Sequence, residues 1–276
     1  CIRDSEYYAR VAGAYHAIVD RLELPVLVVR ADTGLMGGSE AHDFMLLTES
    51  GEDTLLVCAS CGYAASQEVA VARKQVDVPP RAEALRELHT PGATTITALC
   101  QAVGVPATAT LKAVCYAAGD ALIVALVRGD LAVNATKLGH LVGREVRALS
   151  HDAAAARGVV VGYVGPVGLA VSGALRVVAD DSVPVAGALV AGANRGDYHL
   201  AGVTYGRDYT AEIVGDLVEV QPGDRCATCG SALAARRGIE AGSIFKLGTR
   251  YSATMGATFR LSLIHISEPT RQAEIS

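Results

Sequence analysis

Two short cysteine pairs, far apart in the chain, constrain this fold more than any other feature. Cys58-Ala59-Ser60-Cys61-Gly62 and Cys226-Ala227-Thr228-Cys229-Gly230 repeat one pattern, C-x-x-C-G, with 164 residues between Cys61 and Cys226. A C-x-x-C turn presents two sulfurs from one tight loop, and two such turns supply the four thiolates of a tetrahedral Zn²⁺ site. In a compact zinc ribbon the pairs lie much closer in sequence. The long gap therefore implies a whole domain inserted between two halves of another, leaving and rejoining it at neighbouring points. The alternatives are a redox pair, which would not need two matching turns, unrelated surface thiols, or the degenerate relic of a zinc site. Cys58, Cys61, Cys226 and Cys229 are the expected ligands of a structural zinc, a closed site with no open position for chemistry. Cys100 and Cys115 sit in apolar runs and read as core residues. Unpaired thiols of this kind suit a reducing cytoplasm.

At 276 residues the chain exceeds what one hydrophobic core usually serves, and its 51% hydrophobic content rules out a disordered polymer. A net charge of −5 argues against a broad surface for coating nucleic acid. The apolar runs at 121–127 and 158–171 fall short of the roughly 20 residues a membrane helix needs, so no membrane partner is expected. Residues 261–271 read LSLIHISEPTR, which back-translates to a transposase-end sequencing adaptor, and the last five residues fit its index and continuation. Residues 261–276 are thus read as adaptor translation and set aside, and the chain is expected to be a fragment of a longer reading frame.

Val11, Tyr15, Ile18 and Leu22 recur at helical spacing and predict an amphipathic helix over 7–22. Residues 25–30 (PVLVVR) read as a buried strand, followed by a glycine-rich loop at 34–39, strands near 44–47 and 54–58, and a helix at 67–73. Pro79-Pro80 marks a linker. In the middle, helices are expected at 94–103, 134–142 and 150–157. Strands are expected at 111–117 and 121–127, joined by a Gly119-Asp120 turn, and again at 159–164, 175–179 and 185–190. The expected organisation is 1–75, a linker at 76–88, an inserted domain at 89–220, and a return at 221–260. The fold class is α/β (α+β), multidomain.

Three stretches carry a specific resemblance. Residues 31–53, ADTGLMGGSEAHDFMLLTESGED, resemble the segment after motif 2 of bacterial-type prolyl-tRNA synthetases, usually ADxGxxGGxxSHEFxxLxxSGED. CGYAASQEVAVA at 61–72 and RGIEAGSIFKLGTRYSATMGATF at 237–259 resemble the flanks of that family's inserted editing domain, and 89–215 resembles the insertion, a relative of free-standing aminoacyl-tRNA deacylases. The resemblance implies a class II ligase that uses ATP and Mg²⁺ to join L-proline to tRNA(Pro). It implies a partial antiparallel synthetase sheet interrupted by a mixed α/β editing domain, a cytoplasmic location and a homodimeric parent. Gly37, Gly38, His42, Asp43 and Phe44 match its proline pocket, with Asp43 in place of the usual Glu and Ser243 where His is common. Motifs 1, 2 and 3 lie outside the sequence, so aminoacylation by this fragment is not expected.

The editing region looks complete. A pocket built for proline rejects smaller alanine weakly, because a missing methylene is worth about 1–3 kcal/mol, and a second site must hydrolyse mischarged alanine. By the resemblance, Lys112 and His199 are the catalytic candidates, and Gly162, Pro166, Asp180, Gly192 and Asn194 line the pocket. No Ser-His-Asp set lies in this region, so a positioned water attacking the ester is expected. A free-standing deacylase acting in trans would not keep the synthetase flanks. A noncatalytic zinc-knuckle RNA-binding module would need basic clusters interleaved with aromatics, which are absent here.

Overall fold

The computed structural model describes residues 2–34, 38, 40–75, 83–169, 174–260 and 266–267. Along the chain come α1 (Ile2–Arg21), β1 (Val26–Ala31), β2 (Ala41–Leu47), β3 (Asp53–Val57), β4 (Ala64–Ser66), β5 (Ala72–Arg73) and β6 (Arg86–His89). Then follow α2 (Ile96–Val103), β7 (Leu111–Ala118), β8 (Ala121–Arg128), α3 (Ala135–Val142), β9 (Arg147–Ala148), α4 (His151–Ala155), β10 (Leu175–Asp180), β11 (Leu189–Gly192), β12 (Tyr198–Val203) and β13 (Ile213–Gly215). The chain continues through β14 (Arg225–Cys226), β15 (Ala234–Phe245), α5 (Arg250–Thr254), β16 (Phe259–Arg260) and β17 (Ile266–Ser267). It divides into two compact units, Cys1–Ala72 with Val220–Ser276, and Arg73–Glu219. Among the described residues no helix is long and apolar enough to cross a membrane.

The discontinuous unit is built on a closed barrel in the order β1-β2-β15-β3-β4. This differs from a purely antiparallel sheet: β1 and β4 run parallel and close the barrel at Arg30 and Ala65. The twelve-residue β15 serves both neighbours, pairing with β3 over Ala234–Gly238 and with β2 over Gly238–Phe245, with a bulge between Glu240 and Gly242. Such bulges sharpen a strand's twist and help a sheet to close. Strand alternation sends Val29, Met45 and Leu55 into the barrel and Phe44 the other way, into a cluster with Val19 of α1 and Ile244.

The continuous unit stacks α3, a five-stranded mixed sheet ordered β13-β10-β8-β7-β9, and a three-stranded antiparallel sheet ordered β11-β12-β6. β8 is its centre. Ile123, Ala125 and Val127 pack with Leu138 of α3, while Val124 and Leu126 pack with Leu189, Ala191 and Leu200 of the second sheet. A strand buried on both faces reads as a continuous apolar run, as residues 121–127 do. Thr95, Asn134 and Ser150 cap α2, α3 and α4 through their side-chain oxygens, each satisfying an otherwise orphaned amide.

Several expectations need correction. Residues 67–73, read as a helix, form a turn and then β5. Residues 159–164 form no strand, only a turn at 161–162 within irregular chain, because Gly158 (φ 81°) and Gly162 (φ 84°) take left-handed conformations that interrupt pairing. The strand expected at 185–190 starts only at Leu189, and α4 stops at Ala155. Residues 86–88, placed in the linker, belong to β6. Gly37, the Pro79-Pro80 linker and most of the 261–276 tail lie outside the described residues.

Candidate functional site

The two cysteine turns fold alike. In each, the first cysteine's carbonyl accepts the glycine amide four residues on (Gly62 N to Cys58 O, 3.0 Å; Gly230 N to Cys226 O, 2.9 Å), and its amide donates to the carbonyl of Tyr63 or Ser231 at 2.8 Å. Both glycines take positive φ, 75° and 81°, which an L side chain resists. The turns face each other: Cys58 and Cys229 sulfurs lie 3.4 Å apart, Cys61 and Cys226 sulfurs 3.7 Å, and all four lie within 4.8 Å of one another. Tetrahedral zinc with bonds of about 2.3 Å sets its sulfurs about 3.8 Å apart. Without an ion the four thiols share their protons unequally: the Ser231 hydroxyl and amide hold Cys229 down at about 6, while the neighbouring sulfurs help push Cys61 up to about 12. The donor set fits zinc, with Leu56, Ala65 and Val220 packed beneath it.

In the continuous unit the glycine loop at 162–166 is pressed onto β11. A Cβ on Gly165 would strike the Gly192 carbonyl, and one on Gly192 would strike the Tyr163 and Val164 carbonyls. Only glycines permit two backbones to approach this closely. Asn194 fastens the contact: its Oδ1 accepts Gly165 N at 3.0 Å, and its Nδ2 donates to Gly165 O and Val167 O, both at 2.9 Å. Pro166 is buried beside it. His199, 4% exposed, shares a 2.7 Å hydrogen bond between Nδ1 and Thr90 Oγ1 and lies 5.4 Å, ring to ring, from Tyr163. Burial pulls its pKa below the usual histidine range. Tyr163 in turn donates to Asp197 Oδ1 at 2.8 Å. Gly162, Pro166, Gly192, Asn194 and His199 thus form one connected cluster. Thr90, Tyr163, Gly165 and Asp197 complete it; sequence reasoning passed over them, although the Gly-Tyr-Val-Gly-Pro spacing held the signal.

Lys112 and Asp180 lie on one sheet, on strands separated by β8. Lys112 pairs with Val127 across β7–β8, and β10 runs beside β8 with Ala179 opposite Leu126. Lys112, Val127 and Asp180 therefore form one row on one face. Lys112 is half-buried, and burial pulls its ammonium below the usual lysine range, Asp130 opposing. No hydrogen bond or ion pair reaches that ammonium among the described residues. Asp180 is different. It is fully buried and its carboxylate accepts from Ser182 N at 3.0 Å, Ser182 Oγ at 2.5 Å, Leu217 N at 2.9 Å and Lys74 Nζ at 2.7 Å. That saturation makes it an internal clamp rather than a lining group. Lys74 also reaches Asp181 and Asp216, and Lys137 shares Asp216. Just before β7, Thr110 bridges Val190 in parallel, which sets Lys112 and Gly192 each two residues beyond a shared bridge.

The proline-pocket candidates lie in the barrel unit. His42 Nδ1 shares a 2.7 Å hydrogen bond with the Tyr8 hydroxyl. Asp43 is raised by burial, with a Ser243 hydrogen bond opposing. Gly38 (φ 124°) lies so near the Lys246 carbonyl that a Cβ would collide with it. Phe44 is a correction: 1% exposed and packed on Tyr15 and His16, it is core.

Comparison with known proteins follows this division. Residues 90–209 match the aminoacyl-tRNA editing domain family. The chain is 48% identical to a proline–tRNA ligase of Salinispora tropica over 257 residues, 89% of this chain and 42% of the relative. It is 40% identical to one from a Thermoanaerobacter strain over 256 residues, 91% of this chain and 45% of the relative. Along about nine-tenths of its own length the chain is similar to proline–tRNA ligases. It spans less than half the length of the relatives it matches. A solved structure described as a candidate trans-editing enzyme for prolyl tRNA synthetase covers 49% of this chain and 87% of its own, at 22% identity and a TM-score of 0.42.

Proposed function

We propose that the continuous unit hydrolyses alanine mischarged onto tRNA(Pro), within a cytoplasmic proline–tRNA ligase that uses ATP and Mg²⁺ and works as a homodimer. The observation that carries this reading is the Gly162–Pro166 loop locked onto Gly192 by Asn194, inside the segment that matches an editing domain. Two loop amides are already engaged, Tyr163 N with Val160 O and Gly165 N with Asn194 Oδ1. Stabilisation of a developing oxyanion then falls to the Gly162 and Val164 amides, fixed in place before reaction. Water adds to the ester carbonyl, the bond to the ribose oxygen breaks, and that oxygen takes the proton, releasing alanine and tRNA. The half-buried Lys112 ammonium supplies positive charge to the ester or its phosphate in a medium where charge acts strongly.

Hydrolysis of Ala-tRNA(Pro) by the full chain is the test. Lys112→Ala is expected to lower the rate at least about a hundredfold, the range for loss of one preorganised electrostatic group. An undiminished rate would remove Lys112 from the mechanism. In the barrel unit we assign L-proline to the surface of Gly38, His42 and Asp43, and structural Zn²⁺ to Cys58, Cys61, Cys226 and Cys229, where the ion would cross-link the two halves without entering the reaction.

A further inference from the structure

Two residues that flank the editing cluster form a stack which the reaction above does not use. The Arg195 guanidinium carbon sits 3.5 Å from the centroid of the Tyr198 ring. On β6, the His89 ring lies 5.0 Å from the Tyr198 ring, and the two residues are directly paired across β6–β12. Arg195 is 52% exposed, and its charge is met by Glu87 at 3.0 Å. An exposed ion pair of this kind contributes about 0–1 kcal/mol, too little to explain why a long, flexible side chain is laid flat on a ring.

The turn that carries Arg195 is unusually constrained. Asn194 (φ 54°) and Asp197 (φ 64°) are non-glycine residues in the left-handed region, a conformation that persists when surrounding contacts over-determine it and that clusters at functional sites. Those contacts are present: Asp197 Oδ1 accepts from Gly92 N at 3.0 Å and from the Tyr163 hydroxyl at 2.8 Å, and its carbonyl accepts Thr90 N at 2.8 Å. The same turn holds Asn194 on the glycine loop and Arg195 on the Tyr198 ring. Tyr198 and His199 are neighbours on β12, so the stack borders the cluster that holds His199.

We infer that Arg195, Tyr198 and His89 form a stacking platform for the unpaired terminal base of an RNA 3′ end. The inference rests on the editing reading for the identity of that end. Unstacked bases are held on aromatic rings and on guanidinium planes, and the platform offers an exposed guanidinium plane backed by the Tyr198 ring. Because Glu87 neutralises Arg195, it presents a flat face more than a charge, which suits a base rather than a phosphate.

The test uses the full chain and a short single-stranded RNA ending in CCA, with 2-aminopurine replacing the terminal base. Saturable quenching is expected, with affinity about tenfold weaker in Arg195→Ala and Tyr198→Leu. Arg195→Lys is expected to lose as much, since an ammonium cannot stack as a plane, whereas Tyr198→Phe keeps wild-type binding. Wild-type binding by Arg195→Lys would mean a phosphate contact and overturn the platform, as would quenching unaffected by any variant. Arg195 and its substitutes are solvent-exposed, so unchanged thermal melts accompany these readings; if Tyr198→Leu melts early, the Arg195 pair decides. Ala-tRNA(Pro) hydrolysis measured alongside separates the two readings. Absent hydrolysis with variant-sensitive quenching sinks the editing reading and leaves the platform standing. Normal hydrolysis with variant-insensitive quenching does the reverse.

Discussion

The two units reach their sites by opposite routes. The continuous unit draws every member of its cluster, from Thr90 to His199, from one uninterrupted stretch and holds them with hydrogen bonds and glycine contacts. The discontinuous unit has no site until residues from both sides of the insertion meet: Cys58 touches Cys229 across 171 positions, and β15 closes against β2 and β3. Their polar interiors differ too. One centres on a lysine–aspartate clamp, the other on thiols. A unit whose contacts are local in sequence can be disturbed one side chain at a time, while one closed over a long gap depends on what ties its halves together.

Metal removal should expose this contrast most strongly. If zinc ties the halves, exhaustive chelation, or Cys58→Ser with Cys229→Ser, removes a term on the order of 10 kcal/mol, as in small zinc domains. Hydrogen exchange should then show loss of protection in β3 and β15 with β7 and β8 unchanged. Equal protection in both units after chelation would show that the barrel needs no ion.

Asp180→Ala is the next largest. It leaves the buried Leu217 and Ser182 amides without their acceptor while Lys74 keeps Asp181 and Asp216, a change worth about 1–3 kcal/mol. Denaturant unfolding followed by exchange should place the loss in the continuous unit alone. Gly165→Ala forces a methyl into the Gly192 carbonyl and is expected to cost about 1–3 kcal/mol, with hydrolysis of Ala-tRNA(Pro) falling by more than global stability does, because the displaced loop holds the amides.

The smallest effect concerns pH. Burial depresses the folded-state pKa of His199, so the unfolded chain binds a proton at higher pH than the folded one. Stability from this group is complete above about pH 6.5 and is lost as pH falls from there toward the folded value, with a slope of at most about 1.4 kcal/mol per pH unit. His199→Gln should flatten that slope in the continuous unit and leave the acid response of the barrel unit unaltered.

Some of this was legible in the residues. The β7–β8 hairpin could be read because two apolar runs flank Gly119-Asp120, and α1 because its apolar positions recur at helical spacing. The same apolar logic failed at 159–164, where Val159, Val160, Val161 and Val164 suggest a strand but Gly158 and Gly162 turn the chain away from any partner. It failed for Phe44 as well: the alternation within β2 sends that ring under α1, and only the packed helix reveals which face is core. Lys74 carried no signal at all, since nothing local distinguishes a lysine destined for Asp180, 106 positions on, from a solvated one.

By itself the sequence determined that one domain interrupts another, because two identical metal-turn patterns require their halves to meet. It also carried the likeness to proline–tRNA ligases, because ordered motifs survive on both sides and in the middle. The tertiary structure alone decided which candidates act together. Gly162, Pro166, Gly192, Asn194 and His199 form one cluster, Lys112 and Asp180 one row, and Asp180 is a clamp. Those assignments depend on strand register and on close approach between backbones. Both are set by packing over long sequence separations, which no local pattern of residue types encodes.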